Sequence, residues 1–80
     1  MKYIVFVDDD PKILSGLRRM LHSKQDNWSM TFIDNGEEAL DHLSQNPCHI
    51  IVADWRMPRM DGLVLLKNVQ KSYPKIARLI

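Results

Sequence analysis

The 80-residue sequence predicts an α/β domain whose parallel sheet is wound by right-handed crossovers. Two apolar runs without polar alternation, residues 3–7 and 50–53, are typical of strands buried on both faces of such a sheet. Both runs end directly on acidic residues, and segments with helical periodicity separate the strands. The predicted order of elements is βαβαβαβ, without an internal repeat, a low-complexity tract or a linker.

The first strand, residues 3–7, leads into a helix. Asp10 can cap that helix, and Pro11 suits its first position because the φ angle of proline is already close to the helical value. Apolar residues then recur every three or four positions, which predicts an amphipathic helix of about three turns. These residues are Ile13, Leu14, Leu17, Met20 and Leu21.

The second strand and helix follow the same scheme. Residues 28–33 alternate in part and are rich in aromatic and β-branched side chains, which indicates a strand exposed on one side. Residues 34–36 form a turn, and Glu37 and Glu38 lie in the first turn of a helix, where the dipole favours them. The predicted buried stripe of this helix is Ala39, Leu40 and Leu43.

The third strand, residues 50–53, is followed by an irregular segment up to Gly62 and then by a third helix. Leu63, Leu66 and Val69 share one face of that helix, with Leu65 and Tyr73 close by. Pro74 stops the helix, and residues 75–80 begin a fourth strand.

Composition excludes several classes of protein. A formal net charge of +1 argues against a nucleic-acid binder driven by bulk charge, and no apolar run approaches the roughly 20 residues of a membrane span. The start of the sequence lacks the pattern of a secretory signal, which predicts a cytoplasmic protein. Cys48 is the only cysteine, so no disulfide can form within the chain, and packing is its expected role.

Acidic residues follow the first and third strands. The carboxyl ends of parallel strands lie at one edge of a sheet, so Asp8, Asp9 and Asp54 are expected to meet there. Clustered carboxylates repel each other and either keep protons or take up a cation. A carboxylate beside a divalent cation can attack a phosphoryl group, and Asp54 is best placed for that because it follows a central strand. Spacing alone equally allows a helix cap and a turn at these positions.

Magnesium is the cation that this oxygen-rich cluster favours. Calcium is less favoured because the sequence contains no loop of regularly spaced oxygen ligands. Zinc is less favoured still, because His22, His42, His49 and Cys48 lack the spacing of a zinc site.

Three sequence features together resemble the receiver domain of bacterial two-component response regulators. These features are the acidic cluster after the first strand, the acid after the third strand, and the segment RMPRMDG at residues 56–62. The last feature is the most specific, because it matches the Met-Pro-x-Met-Asp-Gly loop of the family at the expected distance from the acceptor. The resemblance implies a phosphoacceptor module of a phosphorelay, which is a signalling domain and not an enzyme.

The resemblance also implies roles for individual residues. Asp54 would be the phosphoryl acceptor, and Asp9 and Asp54 would ligate Mg²⁺ directly. Asp8 would act mainly through water, and the backbone carbonyl of Arg56 would be a further metal ligand. The implied partners are a histidine kinase or phosphotransfer protein and an output domain or effector protein, with no membrane contact and no direct nucleic-acid binding by this domain.

The sequence departs from the family pattern at its end. Receivers usually continue through a fourth strand followed by a Ser or Thr and a fifth strand followed by a Lys, and Ile80 falls within the expected fourth strand. Residues 1–80 thus resemble the N-terminal part of a receiver. The expected fold is a flavodoxin-like doubly wound parallel sheet without its last strand and last two helices. We expect either a fragment of a longer protein or self-association through the uncovered sheet face.

Two other functions compete with phosphoryl acceptance. A receiver-like module could work by protein contact without being phosphorylated. A metal-dependent phosphohydrolase of the haloacid-dehalogenase type would use Asp54 as its nucleophile, but such enzymes carry a second acid at the position that Arg56 occupies here. A nucleotide-binding fold is poorly supported, because the sequence contains neither a G-x-G-x-x-G motif nor a Walker lysine loop.

Overall fold

The computed structural model describes residues 1–80 and contains four strands and three α-helices in the predicted alternation. In chain order they are β1 (Lys2–Val7), α1 (Pro11–Met20), β2 (Trp28–Ile33), α2 (Gly36–Gln45), β3 (Ile50–Ala53), α3 (Gly62–Ser72) and β4 (Ala77–Leu79). A short 3₁₀ turn, His22–Lys24, lies between α1 and β2. The predicted α/β class is confirmed.

The strands form one sheet in the order β2-β1-β3-β4, and every neighbouring pair is parallel. The register places Val7 beside Ile33 on one side and beside Ala53 on the other. The carboxyl ends of β1 and β3 are therefore adjacent at one edge of the sheet, where ligands bind in open parallel sheets.

Each helix begins at a residue whose side-chain oxygen accepts a backbone N–H of the first turn, as expected for an N-cap. Pro11 follows the first cap at the predicted helical position. In the three cap bonds, the Lys12 N–H donates to the Asp10 side chain at 2.9 Å, the Glu38 N–H to Asn35 at 2.8 Å, and the Val64 N–H to Asp61 at 2.9 Å.

The hydrophobic core lies on one face of the sheet, beneath α2 and α3. We call this the covered face. Its buried residues come from three of the strands, both helices and the segment after β3. They are Val5, Val7, Ile33, Ala39, Leu43, Ile51, Ala53, Met57, Leu65 and Val69.

Helix α1 lies alone on the opposite face, which we call the α1 face. No residue of α1 is buried, and Ile13 and Met20 are 48% and 74% exposed. Phe6 of this face stacks on Phe32, with ring centroids 5.2 Å apart. The amphipathic helix forms as predicted, but its apolar stripe is only partly covered because no second helix packs beside it. Self-association through this face stays a prediction.

Two packing predictions need correction. Strand β3 was expected to be buried on both faces, but Ile50 and Val52 are only half-buried because α1 covers their face incompletely. On α3, Val69 of the predicted stripe is buried and Leu66 packs partly buried against the core, but Leu63 is 44% exposed and Leu65 is buried instead. The helix is rotated away from the predicted orientation because its first residue, Gly62, is itself buried against the chain after β3.

Cys48 agrees with its expected packing role. It is half-buried, and its Sγ lies 3.2 Å from the Ile50 carbonyl oxygen, to which it donates. Burial raises the pKa of this thiol. None of the helices has the length and apolar character needed to cross a membrane.

Candidate functional site

The site lies at the carboxyl ends of β1 and β3. Asp8 follows Val7 directly, and its N–H donates to the Ile33 carbonyl at 3.1 Å. Asp54 follows β3, and its N–H donates to the Val7 carbonyl at 2.8 Å. The hydrogen-bond ladder of the sheet thus continues into both acids, which fixes their backbones next to each other.

The structure brings together the three acids that the sequence singled out. Carboxylate oxygens of Asp8, Asp9 and Asp54 all lie within 4.8 Å of one another. Asp8 and Asp54 are half-buried, and Asp9 is exposed. No other His, Cys, Asp or Glu residues of the chain form a group of three that could share an ion. We call these three residues the acidic cluster.

The surroundings of Asp8 disfavour the charged form of its carboxyl group. Burial raises the pKa of Asp8 above its ordinary value, and the negative charges of Asp54, Asp9 and Asp10 raise it further. The Asp10 N–H, which donates to Asp8 Oδ1 at 2.9 Å, acts in the opposite direction. Every charged group that shifts this pKa is another aspartate.

This donor set suits a hard divalent cation. Three carboxylates supply only oxygen ligands, which Mg²⁺ prefers. Imidazole and thiolate, the ligands typical of zinc sites, are not among them. The histidines lie elsewhere; His49 stacks on Tyr3 and its Nδ1 accepts the Tyr3 N–H at 2.9 Å. Arg56 follows Asp54 by two positions and its side chain is exposed. The ligand role of its carbonyl stays a prediction.

A loop of seven residues, 55–61, leaves the acidic cluster and leads to α3; we call it the acceptor loop. Its base is closed, because the Gly62 N–H donates to the Trp55 carbonyl at 3.1 Å. A Cβ at position 62 would collide with the backbone carbonyl of Asp54. Met57 anchors the middle of the loop in the core, where it is only 8% exposed.

Sequence reasoning missed two features of this loop. Gly62 was expected to keep the chain irregular, whereas the structure shows that α3 begins there and that the glycine allows close approach to Asp54. Met60 packs next to Gly36 of α2, a contact between residues 24 positions apart. A glycine is a weak signal for close packing, and no local pattern could pair it with a particular methionine.

Comparison with known proteins agrees with this geometry. Residues 4–80 match the response regulator receiver domain family. The DNA-binding transcriptional regulator NtrC of Klebsiella pneumoniae is 38% identical over 74 residues, which cover 92% of this chain and 15% of NtrC. The chain therefore spans only about 15% of the length of the NtrC proteins that it matches.

Solved structures share the fold. The signal receiver domain of an HD domain-containing protein from Pseudomonas fluorescens Pf-5 has a TM-score of 0.88 at 26% identity, covering 96% of this chain and 60% of that one. The response regulator TrrA from Thermotoga maritima, solved with Mg²⁺-BeF, has a TM-score of 0.86 at 28% identity and covers 98% of this chain and 66% of that one. TrrA has also been solved in complex with the histidine kinase ThkA. This chain, with its parallel sheet and its acids at the ends of β1 and β3, belongs to the response regulator receiver domain family.

Proposed function

We propose that the chain is a phosphoacceptor signalling module and that Asp54 receives a phosphoryl group from the phosphohistidine of a histidine kinase or phosphotransfer protein. The observation that carries this proposal is the convergence of Asp8, Asp9 and Asp54, whose carboxylate oxygens lie within 4.8 Å of one another. Among the three, Asp54 is held at the end of a central strand by the hydrogen bond to the Val7 carbonyl. A fixed carboxylate is a suitable nucleophile.

The chemistry follows from this placement. A carboxylate oxygen of Asp54 forms a bond to phosphorus while the bond from phosphorus to the histidine nitrogen breaks, and the electron pair of that bond stays on the imidazole. The product is an aspartyl phosphate. Asp8, Asp9, Asp54 and the Arg56 carbonyl would hold Mg²⁺, which neutralises charge on the transferring oxygens when it is bound. In this proposal the chain is modified by the transfer and is not an enzyme.

The same proposal assigns the partners. TrrA, which shares this fold, has been solved in complex with a histidine kinase, which supports a kinase as the donor. NtrC is a DNA-binding transcriptional regulator, which supports an attached or partner output domain as the target of the signal. With a formal net charge of +1, residues 1–80 would not themselves bind nucleic acid. The proposed location is the cytoplasm.

Intact-mass spectrometry tests phosphoryl acceptance directly. We expect incubation with a small acyl phosphate to add the mass of one phosphoryl group when Mg²⁺ is present and not when it is chelated. The Asp54→Asn variant should not gain this mass, because an amide is a poor nucleophile. Loss of the added mass on treatment with hydroxylamine would identify the product as an acyl phosphate.

Asp26→Asn is the matched control, because Asp26 is an exposed aspartate outside the acidic cluster. This variant should gain the phosphoryl mass like the parent. A gain that persists in Asp54→Asn would contradict the assignment of the acceptor. Absence of any gain in the parent would favour a receiver-like module that works by protein contact without phosphorylation.

A further inference from the structure

We propose that Met60 is a positioning residue for the acceptor loop. Its side chain, packed against Gly36 at the start of α2, holds a strained turn at Arg59 and so keeps the loop backbone in place beside Asp54. This inference rests on the proposed function, because the acceptor loop carries the Arg56 carbonyl that would ligate Mg²⁺. Met60 acts through the backbone of the loop and not on the reacting atoms.

The strained turn lies immediately before Met60. Arg59 has a φ of 67° and is the only residue other than glycine with a positive φ in the chain. The Met60 N–H donates to the Pro58 carbonyl at 2.7 Å, which closes a three-residue γ-turn around Arg59. A γ-turn with positive φ is rare and strained for a residue that carries a side chain. Such a conformation persists only where surrounding contacts hold it.

The contact that could hold this turn is between Met60 and Gly36. A Cβ added at position 36 would lie 2.8 Å from Sδ of Met60, 3.2 Å from its Cγ and 3.3 Å from its Cβ. All three of its nearest neighbours are therefore atoms of one side chain. Any side chain at position 36 would displace Met60, because these separations are shorter than an ordinary van der Waals contact.

Gly36 is explained by this contact and not by its backbone angles. None of the glycines has a positive φ, so position 36 does not require glycine for conformational reasons. It is a buried residue of α2, a helix anchored in the core by Ala39 and Leu43. Met60 therefore packs against a buried part of α2 that is anchored in the core, and such a contact can hold the turn at Arg59 in place.

The acceptor loop is thus held at three places. The Gly62 hydrogen bond to Trp55 closes its base, Met57 is buried in the core, and Met60 fixes the turn to α2. Trp55 at the base and Met57 flank Arg56 in sequence, and Met60 directly follows the strained residue Arg59. Loss of the Met60 side chain should let the turn relax and leave the Arg56 carbonyl less well placed.

Tryptophan fluorescence offers a measurement of Mg²⁺ affinity at this loop. Trp55 directly follows Asp54 and is 55% exposed, and Trp28→Phe would leave it as the only tryptophan of the chain. In that background we expect Met60→Ala to weaken Mg²⁺ binding about ten-fold, as loss of a supporting contact around a metal site typically does. Gly36→Ala should weaken binding in the same direction by displacing Met60.

Two combined variants separate positioning from a general packing role. Adding Gly36→Ala to Met60→Ala should cost little further affinity, because Sδ and Cγ, the two atoms that the new methyl group would meet most closely, are gone and only Cβ remains. Adding Arg59→Gly to Met60→Ala should restore affinity toward that of the parent, because glycine adopts a positive φ without strain. Met20→Ala, at a methionine that is 74% exposed on α1, should bind Mg²⁺ like the parent.

Amide hydrogen exchange tests the same inference without metal, so its result does not depend on the proposed function. Met60→Ala should speed exchange of the Met60 and Gly62 amides, which donate hydrogen bonds within the acceptor loop, while amides of α2 stay protected. Arg59→Gly should reverse this change. Unchanged exchange at both amides, or an Mg²⁺ affinity that Arg59→Gly does not restore, would overturn the inference. Failure of the parent to bind Mg²⁺, with faster loop exchange in Met60→Ala, would overturn the proposed function alone.

Discussion

The two faces of the sheet differ in how much of their apolar surface is buried. On the covered face, Ile51 and Leu65 are fully buried and belong to one continuous core. On the α1 face, the helix buries none of its residues, and Met20 is 74% exposed. Since burial of apolar surface is the main source of folding free energy, the stability of this domain resides largely in the covered face.

The acceptor loop depends on the covered face. Met57 of the loop is buried in the core, and Met60 packs against the start of α2. By contrast, α1 supplies no buried residue, and its first turn is held by the Asp10 cap. The site is therefore supported by buried helix residues on the side where α2 and α3 pack, and by none on the side of α1. Substitutions on the two sides of the sheet test this division.

Truncation of one leucine on each face should show the difference between the two faces most clearly. Leu65→Ala should lower the free energy of unfolding by about 2–5 kcal/mol, because it leaves a cavity at a fully buried position. Leu17→Ala on α1, where the side chain is only half-buried, should cost about 1 kcal/mol. Urea unfolding of both variants measures the difference. Equal losses would show that α1 packs more firmly than its exposure indicates.

Replacement of Gly62 and of Gly16 by alanine should change the stability of the protein in opposite directions. Gly62→Ala should destabilise the protein by about 1–3 kcal/mol, because the new methyl group would collide with the Asp54 carbonyl. Gly16→Ala in α1 should stabilise it by about 0.5–1 kcal/mol, because nothing lies within 4 Å of the new Cβ and alanine favours a helix. Thermal melting of the pair gives the sign of each effect. Stabilisation by Gly62→Ala would contradict the close approach of α3 to Asp54.

The caps of α1 and α2 should respond differently to removal. Asn35→Ala should lower the free energy of unfolding by about 1 kcal/mol, because α2 unfolds together with the core. Asp10→Ala removes an equivalent cap, but α1 buries no residue and should fray locally instead. Hydrogen exchange should therefore accelerate in the first turn of α1 with less change in global stability. If Asp10→Ala lowered the free energy of unfolding more than Asn35→Ala, α1 would contribute more to global stability than α2, contrary to this prediction.

The smallest expected effect is the pH dependence at Asp8. Because the pKa of Asp8 is raised in the folded state, the folded protein binds more protons than the unfolded chain between the two pKa values. The contribution of Asp8 to the free energy of unfolding therefore falls as the pH rises through the acidic range, and at neutral pH Asp8 destabilises the folded state. Asp8→Asn, which keeps an oxygen for the Asp10 N–H, should stabilise the protein by about 0.2–1 kcal/mol at pH 7.

Denaturant titrations at several pH values check this prediction. The advantage of Asp8→Asn over the parent should shrink as the pH falls below the ordinary range of aspartate, where Asp8 is protonated in both states. The measurement is made without divalent cations, because a bound cation would offset the repulsion. An advantage that is independent of pH would show that neither burial of the Asp8 charge nor its repulsion by the other aspartates is the cause.

Much of the fold was predictable because its signals are local. The spacing of apolar residues distinguishes strands from helices. Asp10 and Pro11 mark the start of α1 independently of tertiary contacts. Alternation of strands and helices implies a parallel sheet, and a parallel sheet brings the ends of β1 and β3 to one edge. Local sequence patterns were therefore sufficient to predict the class of fold and the convergence of Asp8, Asp9 and Asp54.

The way in which these elements face one another depends on tertiary packing. The rotation of α3, which buries Leu65 and exposes Leu63, depends on the packing of Gly62 against Asp54. The half-burial of β3 depends on how much of its outer face α1 covers, and the contact of Met60 with Gly36 depends on where α2 docks. All three features depend on contacts between segments that are distant in sequence. Such contacts produce no periodic pattern of apolar residues, so they cannot be predicted from the sequence in this way.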